Sequence, residues 1–296
     1  MTYPISILKP EQAIAFDAMT FPAYRRVLAG PSVAVGAWFK GTPAGLALFG
    51  EGRNNNEATL LSLFVAMPHR LGGLGTLLLE QGETFLTAAG LEGLRTTWTQ
   101  TMAGAVAFER VLAKREWSPP KKRLLVMRAD IAGRFGNGIR RNHPKYENAD
   151  CLPKQYTLSP WDSLTRQERD FIKGKAGQPG WHALRADPFR EEHILEQGLS
   201  MVLRKHGEVV GWLTVHLTTP DTARFTDVFL REDLKRGGGI AIGMVGHGFW
   251  KLMKAGIPKL TWGIEADNGP LLAMCQKRLG EIADLSWTLG SDKALG

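Results

Sequence analysis

Shifted by 166 positions, this 296-residue sequence falls on itself: Gly41 meets Gly207, Gly45 meets Gly211, Arg70 meets Arg236, Gly72 and Gly73 meet Gly238 and Gly239, and Gly82 meets Gly248. Leu86, Ala89, Gly90 and Leu94 carry the match on to Leu252, Ala255, Gly256 and Leu260, with no gap. Ten identities in the 54 positions from 41 to 94 compare with roughly three or four for unrelated chains of ordinary composition. A duplicated unit must fold twice by the same rules, which restricts the chain to two copies of one domain type. The length agrees, since about 150 residues per domain gives two domains. The matches fall on glycines at turns and at a helix entry, where backbone geometry rather than packing is expected to select the residue.

The local pattern predicts the same elements in each half. In the first, strands over 33–39 and 44–49 flank the turn Lys40-Gly41-Thr42-Pro43 and make a hairpin; in the second, 201–205 and 209–217 flank His206-Gly207-Glu208. An apolar strand follows (60–66 and 225–230), then a glycine-rich turn and a helix (76–89 and 242–255) closed by Gly90 or Gly256. A further strand (94–99 and 259–265) leads into an apolar helix, and helical segments precede each hairpin. The expected domains are 1–130 and 153–296, joined by a basic linker over 131–152 that is rich in Gly, Asn, Arg and Pro. The fold class is α+β (α/β), two tandem domains of mixed, mostly antiparallel sheet flanked by helices.

Composition narrows the function. Hydrophobic residues at 44% and charged residues at 22% describe a globular chain. No stretch approaches the ~18 apolar residues of a membrane span, and the N-terminus MTYPISILKPEQ has no signal-peptide pattern, so a cytoplasmic location is expected. Cys151 and Cys275 are too few for a disulfide framework and lack zinc-site spacing, so no metal is expected. The net charge of +8 is concentrated between 119 and 145, where Lys121, Lys122, Arg123, Arg128, Arg134, Arg140, Arg141 and Lys145 face only Asp130. Such a run is ordinarily a solvated face or linker; the alternative is a grip on an acidic or nucleic-acid partner.

Chemistry enters at the strand-to-helix turns, Arg70-Leu71-Gly72-Gly73-Leu74-Gly75 and Arg236-Gly237-Gly238-Gly239-Ile240-Ala241. Small residues opening a helix expose several N–H groups to one point, the helix N-terminus adds partial positive charge, and arginine supplies a further donor. A pyrophosphate suits that site. One such loop alone is an ordinary tight turn; two at matched positions argue for function. A Rossmann fingerprint fits poorly, because these units follow an antiparallel hairpin rather than a parallel repeat.

The segments LLSLFVAMPHRLGGLGTLLLEQGETFL and TDVFLREDLKRGGGIAIGMVGHGFW resemble the central acyl-CoA motif of the GCN5-related N-acetyltransferase (GNAT) family, and WGIEADNGPLLAMCQKRLG is similar to the family's next motif. The resemblance implies a sheet splayed between its fourth and fifth strands, with pantetheine in the splay and its diphosphate on the loop. It implies that the backbone of Phe229 and Leu230 pairs with pantetheine, that Arg236 to Ala241 hold the diphosphate, and that Asn268 lies near the pantetheine arm. Val65 and the loop from Arg70 to Gly75 are the first-half counterparts. Acetyl-CoA or a longer acyl-CoA is the implied cosubstrate and an amine the acceptor, in a monomer or homodimer. Where the family often carries a tyrosine acid, this chain has Cys275, and the first half has Met102 opposite Asn268 and Phe108 near the tyrosine position.

Acyl transfer to an amine requires a group that takes the ammonium proton. Asp227, two residues before Phe229, is the first choice for that base; His216 and Glu265 are the others, and Cys275 is the candidate acid. Each has a plainer reading, as a strand ion pair, a hydrogen-bonded strand histidine, a surface acid and a packed thiol respectively. Trp181, Trp212, Trp250 and Trp262 are expected in the core or as walls of an acceptor cleft. The competing class is a non-catalytic acyl-CoA-binding or interaction module.

Overall fold

The computed structural model describes residues 2–30, 32–52, 54–142, 144, 152–235 and 239–296. Its strands in chain order are β1 (Ile5–Ile7), β2 (Val33–Phe39), β3 (Thr42–Glu51), β4 (Glu57–Val65), β5 (Gly93–Thr99) and β6 (Lys121–Asp130), then β7 (Tyr156–Pro160), β8 (Met201–Lys205), β9 (Glu208–Thr219), β10 (Thr222–Leu230), β11 (Lys259–Glu265) and β12 (Asp284–Ala294). The helices are α1 (Pro10–Ala13), α2 (Arg25–Leu28), α3 (Leu74–Ala88), α4 (Ala105–Lys114), α5 (Arg134–Asn142), α6 (Arg166–Lys175), α7 (Gly239–Lys254) and α8 (Gly269–Leu279).

Contacts divide the chain into one unit of Met1–Leu124 with Ser286–Gly296 and a second of Leu125–Leu285. In the first, the sheet order is β1-β2-β3-β4-β5-β12, antiparallel except for the parallel pair β4–β5. In the second the order is β6-β11-β10-β9-β8-β7, antiparallel from β7 to β10 and parallel between β10 and β11. Boundaries at 130 and 153 leave the last strand with the second half. The fold places Ser286–Gly296 in the first unit, where β12 pairs with β5 and Lys293 Nζ donates to the buried Glu83 carboxylate on α3 at 2.7 Å. The same carboxylate accepts from Arg115 and from Trp117 Nε1, so the burial of a charge is offset by several hydrogen bonds.

The repeated glycines answer to two different demands. Lys40-Gly41 and His206-Gly207 have positive φ at both residues, the requirement of a tight type I′ hairpin turn. Gly90 and Gly256 end their helices in the left-handed region, with Leu91 N bonded to Leu86 O and Ile257 N to Leu252 O. Gly82 and Gly248, however, are selected by packing, contrary to the expectation from sequence: an added Cβ would stand 2.3 Å from Phe49 Cε2 and 2.5 Å from Leu213 Cδ2 respectively. The helix lies that close to the sheet in both units.

Register also corrects the gapless alignment. Leu48 pairs with Ser62 and Thr214 with Asp227; Gly45 pairs with Val65 and Gly211 with Leu230. Along β4 and β10 the repeat offset is therefore one residue short of 166, and the structural counterpart of Asp227 is Ser62, not Leu61.

The segment 131–152, expected to be linker, contains α5, whose Phe135, Gly136, Gly138 and Ile139 are buried. Its glycines permit close approach rather than looseness: a Cβ on Gly138 would meet Ile282 Cγ2 at 2.7 Å. The basic stretch before it is strand β6, with Leu125, Met127 and Ala129 alternating inward. Part of the charge of 119–145 is paired within the chain: Arg123 pairs with Asp292, Arg134 of α5 pairs at the surface with Asp284, and Lys122 lies over the Trp287 ring. Lys145 and Cys151 lie outside the described residues. Among the described residues no helix is long and apolar enough to cross a membrane.

Candidate active site

In both units the parallel pair parts halfway along. β4 and β5 are in register only from Glu57–Gly93 to Leu60–Thr96, although β4 runs on to Val65 and β5 to Thr99. β10 and β11 are in register from Thr222–Lys259 to Phe225–Trp262, and then continue apart to Leu230 and Glu265. A bulge marks each parting point, at Leu61 and at Thr226; the extra residue bends the strand away from its parallel neighbour. Beyond it, one edge of β4 and one edge of β10 are no longer paired with the parallel neighbour, and backbone groups on such an edge can take an extended, amide-bearing partner.

The loop that opens α3 completes the first unit's groove. Arg70 Nε donates to Val65 O at 2.9 Å and folds the loop back on β4. Leu71 and Gly73 have positive φ, and Thr76 N and Leu77 N turn back to Gly73 O. The N–H groups of Leu74 and Gly75 are left at the helix front with no intrahelical acceptor. Nothing lies within 4 Å of where a Cβ would stand on Gly72 or Gly73, so this face is open and fits a diphosphate. In the second unit Arg236, Gly237 and Gly238 lie outside the described residues. Gly239, Ile240 and Ala241 form the first turn of α7, and Gly239 likewise has open space where a side chain would be.

Over the second splay, on the face covered by α6, Trp212 pairs with Phe229 across β9 and β10 and both are buried with Trp161, Leu164 and Ile172. Trp212 Nε1 donates to Asp227 Oδ2 at 2.6 Å, and Asp227 N donates to Thr214 Oγ1 at 3.1 Å. Burial pushes the Asp227 carboxyl up, against the Trp212 hydrogen bond that favours its ionised form. Trp181 stacks on Phe229 with ring centroids 5.7 Å apart. Phe229 and Leu230 both reach the buried end of the strand, where the backbone role expected of them would be exercised.

His216 stands on the same face, but both its nitrogens are engaged. Nε2 lies 3.1 Å from the carbonyl oxygen of Glu191, which only accepts, so Nε2 carries the hydrogen and Nδ1 accepts from the Thr226 hydroxyl at 2.6 Å. Sequence reasoning passed over His182, which sits in the irregular stretch between α6 and β8 with no counterpart in the aligned repeat. Its ring lies edge-on to Trp212 at 5.1 Å and to Phe229 at 5.7 Å. It is 4% exposed, and its Nδ1 has no hydrogen-bond partner among the described residues. The adjacent Trp181 was singled out; the periodic patterns used to find strands and helices carry no signal for a histidine in such a segment.

The remaining candidates lie elsewhere. Glu265 is exposed at the end of β11, and Asn268 caps α8, accepting from Leu271 N at 3.4 Å. Cys275 is fully buried within α8, and burial pushes its thiol up to about 11, the condition of a packed, protonated sulfur. In the first unit the equivalent face is apolar: Phe16, Leu28, Leu46 and Leu48 are buried there, and Ser62 donates to Met19 O at 3.3 Å. Met102 packs on that unit's other cluster, and Phe108 meets the Trp98 ring edge-on.

A model of the acetyltransferase (GNAT) family matches residues 6–110 and again residues 161–280. No curated protein matches the chain. Among solved structures, it is similar to a tandem GNAT protein from the clavulanic acid biosynthesis pathway, with a TM-score of 0.68 at 14% identity over 100% of this chain and 99% of that one. It is also similar to a GCN5-related N-acetyltransferase from Sphaerobacter thermophilus, with a TM-score of 0.66 at 16% identity over 99% of this chain and 96% of that one. At these identities the likeness is one of fold. Family members use acetyl-CoA, and the splayed edge and open glycine loop fit the arm and diphosphate of that molecule. Since each match spans a parted sheet, its loop and the helix that follows, the chain belongs to the acetyltransferase (GNAT) family, as two copies in tandem.

Proposed function

We propose that the protein is an acyl-CoA-dependent N-acyltransferase whose chemistry takes place in the second unit, with a primary amine of a small molecule or peptide as acceptor. The observation that carries this reading is Asp227, held by Trp212 at the bulge where β10 leaves β11. A carboxylate there pairs with the acceptor's ammonium beside the point where a thioester bound in the splay would end. The acyl group comes from the bound thioester, acetyl or longer. Phe229 and Leu230 offer backbone groups to the pantetheine arm, Asn268 is assigned to that arm from its place at the front of α8, and a backbone N–H of the parted strand is suited to polarising the thioester oxygen. The diphosphate is assigned to Arg236 through Ala241, and in the first unit to Arg70 through Gly75, with Val65, the register counterpart of Leu230, on the pantetheine arm. The aromatic wall of Trp181, Trp212 and Phe229 excludes water from the acceptor, which strengthens its pairing with Asp227.

For the first unit one observation favours a different reading. Ser62 and an apolar face stand where Asp227 and its neighbours stand in the second, so that unit is proposed to bind acyl-CoA without turning it over.

Thiol release from acetyl-CoA across a panel of amines tests the enzyme reading, and no release with any amine overturns it. Gly239→Glu, which sets a carboxylate against the diphosphate, should abolish release. Gly72→Glu should leave it intact while removing one equivalent of acyl-CoA seen by mass spectrometry of the native protein. Gly72 is the cleaner choice than Gly73, whose φ of +82° would add backbone strain. Activity that survives Gly239→Glu and dies with Gly72→Glu moves the chemistry to the first unit.

A further inference from the structure

We infer that His182 Nδ1 is the atom that takes the proton from the acceptor's ammonium, an assignment that rests on the acyl-transfer reading above. Pairing with Asp227 draws an ammonium into the site but also stabilises its positive charge, so the carboxylate alone is a poor way to obtain the neutral amine that attacks. A second, neutral base is needed beside it. His182 meets that need by position: Trp212 bonds Asp227 through Nε1 and presents its ring to His182 at 5.1 Å, and Phe229, two residues along β10 from Asp227, touches the same imidazole.

The bases named from the sequence are engaged or lie elsewhere. His216 has its lone pair on the Thr226 hydroxyl and its N–H on the Glu191 carbonyl. Glu265 is exposed at the far end of β11, and the Cys275 thiol is buried and protonated. Two described histidines have a buried Nδ1 with no hydrogen-bond partner, His182 and His247, and of these His182 is the nearly fully buried one that packs on Trp212 and Phe229. A buried polar atom left without a hydrogen bond costs on the order of 1–3 kcal/mol, and a group kept in that state calls for an explanation; an incoming N–H is one. The charged group that acts on His182 is Asp187, which favours its protonation, but burial outweighs it and holds the imidazole below its ordinary value. The ring is therefore neutral near pH 7 and ready to accept.

The step balances as follows. The ammonium loses a proton to Nδ1 and the imidazole becomes imidazolium. The freed nitrogen pair forms a bond to the thioester carbonyl carbon, the carbon–sulfur bond breaks, and its electrons leave on sulfur. The nitrogen's second proton passes to that thiolate, giving amide and thiol, and the imidazolium returns its proton to water.

His182→Asn keeps a hydrogen-bond acceptor near the position of Nδ1 but removes the ability to take a proton. For an amine that the wild type acylates, kcat/KM should fall about 10²- to 10³-fold, with acetyl-CoA binding unchanged by calorimetry. The wild-type acid limb, expected with its midpoint below ~6.5, should disappear in the variant. An acid limb that persists in His182→Asn and is lost in Asp227→Asn overturns the assignment while leaving the acyltransferase reading in place. A wild type that acylates no amine overturns both. Should the variant fail to fold, imidazole ¹⁵N spectra of the wild type decide, because only seven histidines are present. Adding CoA with the amine must shift His182 Nδ1, and an unmoved signal overturns the assignment.

Discussion

The two units share a bulge, a parting sheet and a glycine-led helix, yet they differ in what lies over the splay. In the second, Asp227, Trp212, His216 and His182 form a polar and aromatic floor under α6. In the first, the register-matched positions of the first three are Ser62, Leu46 and Gly50, beneath an apolar cluster. Backbone geometry for holding a ligand arm is thus duplicated, whereas the Asp227–Trp212 pair and His216 are replaced at the register-matched positions of the first unit. A fold can keep its binding frame and lose or gain its chemistry through a few inward-facing positions, because those residues are not needed to close the sheet.

The largest test of the comparison removes what the first unit receives from the chain's end. Ending the protein at Leu285 deletes most of β12, exposes the edge of β5 and leaves Glu83 without Lys293. Hydrogen exchange should show protection lost in β4, β5 and α3 but retained in β8 to β10; unchanged protection in β5 would mean that the first unit closes without this strand. Asp227→Asn should lower kcat/KM by about 10²- to 10³-fold, in line with the ~2–5 kcal/mol lost when one partner of a buried charge pair is removed. Ser62→Ala should leave turnover as it is, and equal losses at the two positions would erase the distinction between units.

Gly82→Ala and Gly248→Ala should each cost about 1–3 kcal/mol in denaturant titrations, since both press a methyl into a sheet side chain. A cost at one site alone would show that the two helix seats are not equivalent.

Acid should loosen the cover over the second splay in particular. Arg204 holds Glu168, the partner of the N-cap Thr165 in the capping box of α6, down at about 2. A carboxylate depressed in the folded state contributes fully above its ordinary value of ~4.3 and loses that contribution as pH falls toward the folded value. The difference in melting temperature between wild type and Glu168→Gln should therefore be full near pH 6 and shrink between about 4.3 and 2. The smallest effect is expected at Cys275→Ala, with kcat within about twofold of wild type, as befits a packed sulfur; a large loss would restore the thiol as an acid.

The repeat, the hairpins and the strand-turn-helix succession were legible because turns and helix ends need particular backbone angles, and those angles select glycine at Gly41, Gly90 and their counterparts. Strands β6 and β12 were not legible: Lys121, Lys122 and Arg123 open β6 with charge, and β12 carries Gly290, Asp292 and Lys293, which weaken the alternation that marks a strand. Asp227 was found because it lies two residues before an expected pantetheine contact. His182 was missed because an irregular segment has no period against which a residue's direction can be read.

Taken alone, the amino-acid order determined that one domain type occurs twice and that each copy opens a helix with small residues suited to phosphate, since these are local backbone requirements written in neighbouring positions. Tertiary structure decided that the final strand belongs to the first unit, that Ser62 rather than Leu61 answers to Asp227, and that His182 meets the Trp212 and Phe229 rings. Those are matters of strand register and of contact between distant segments. They depend on which surfaces bury one another, and a single sequence read position by position does not contain that information in local form.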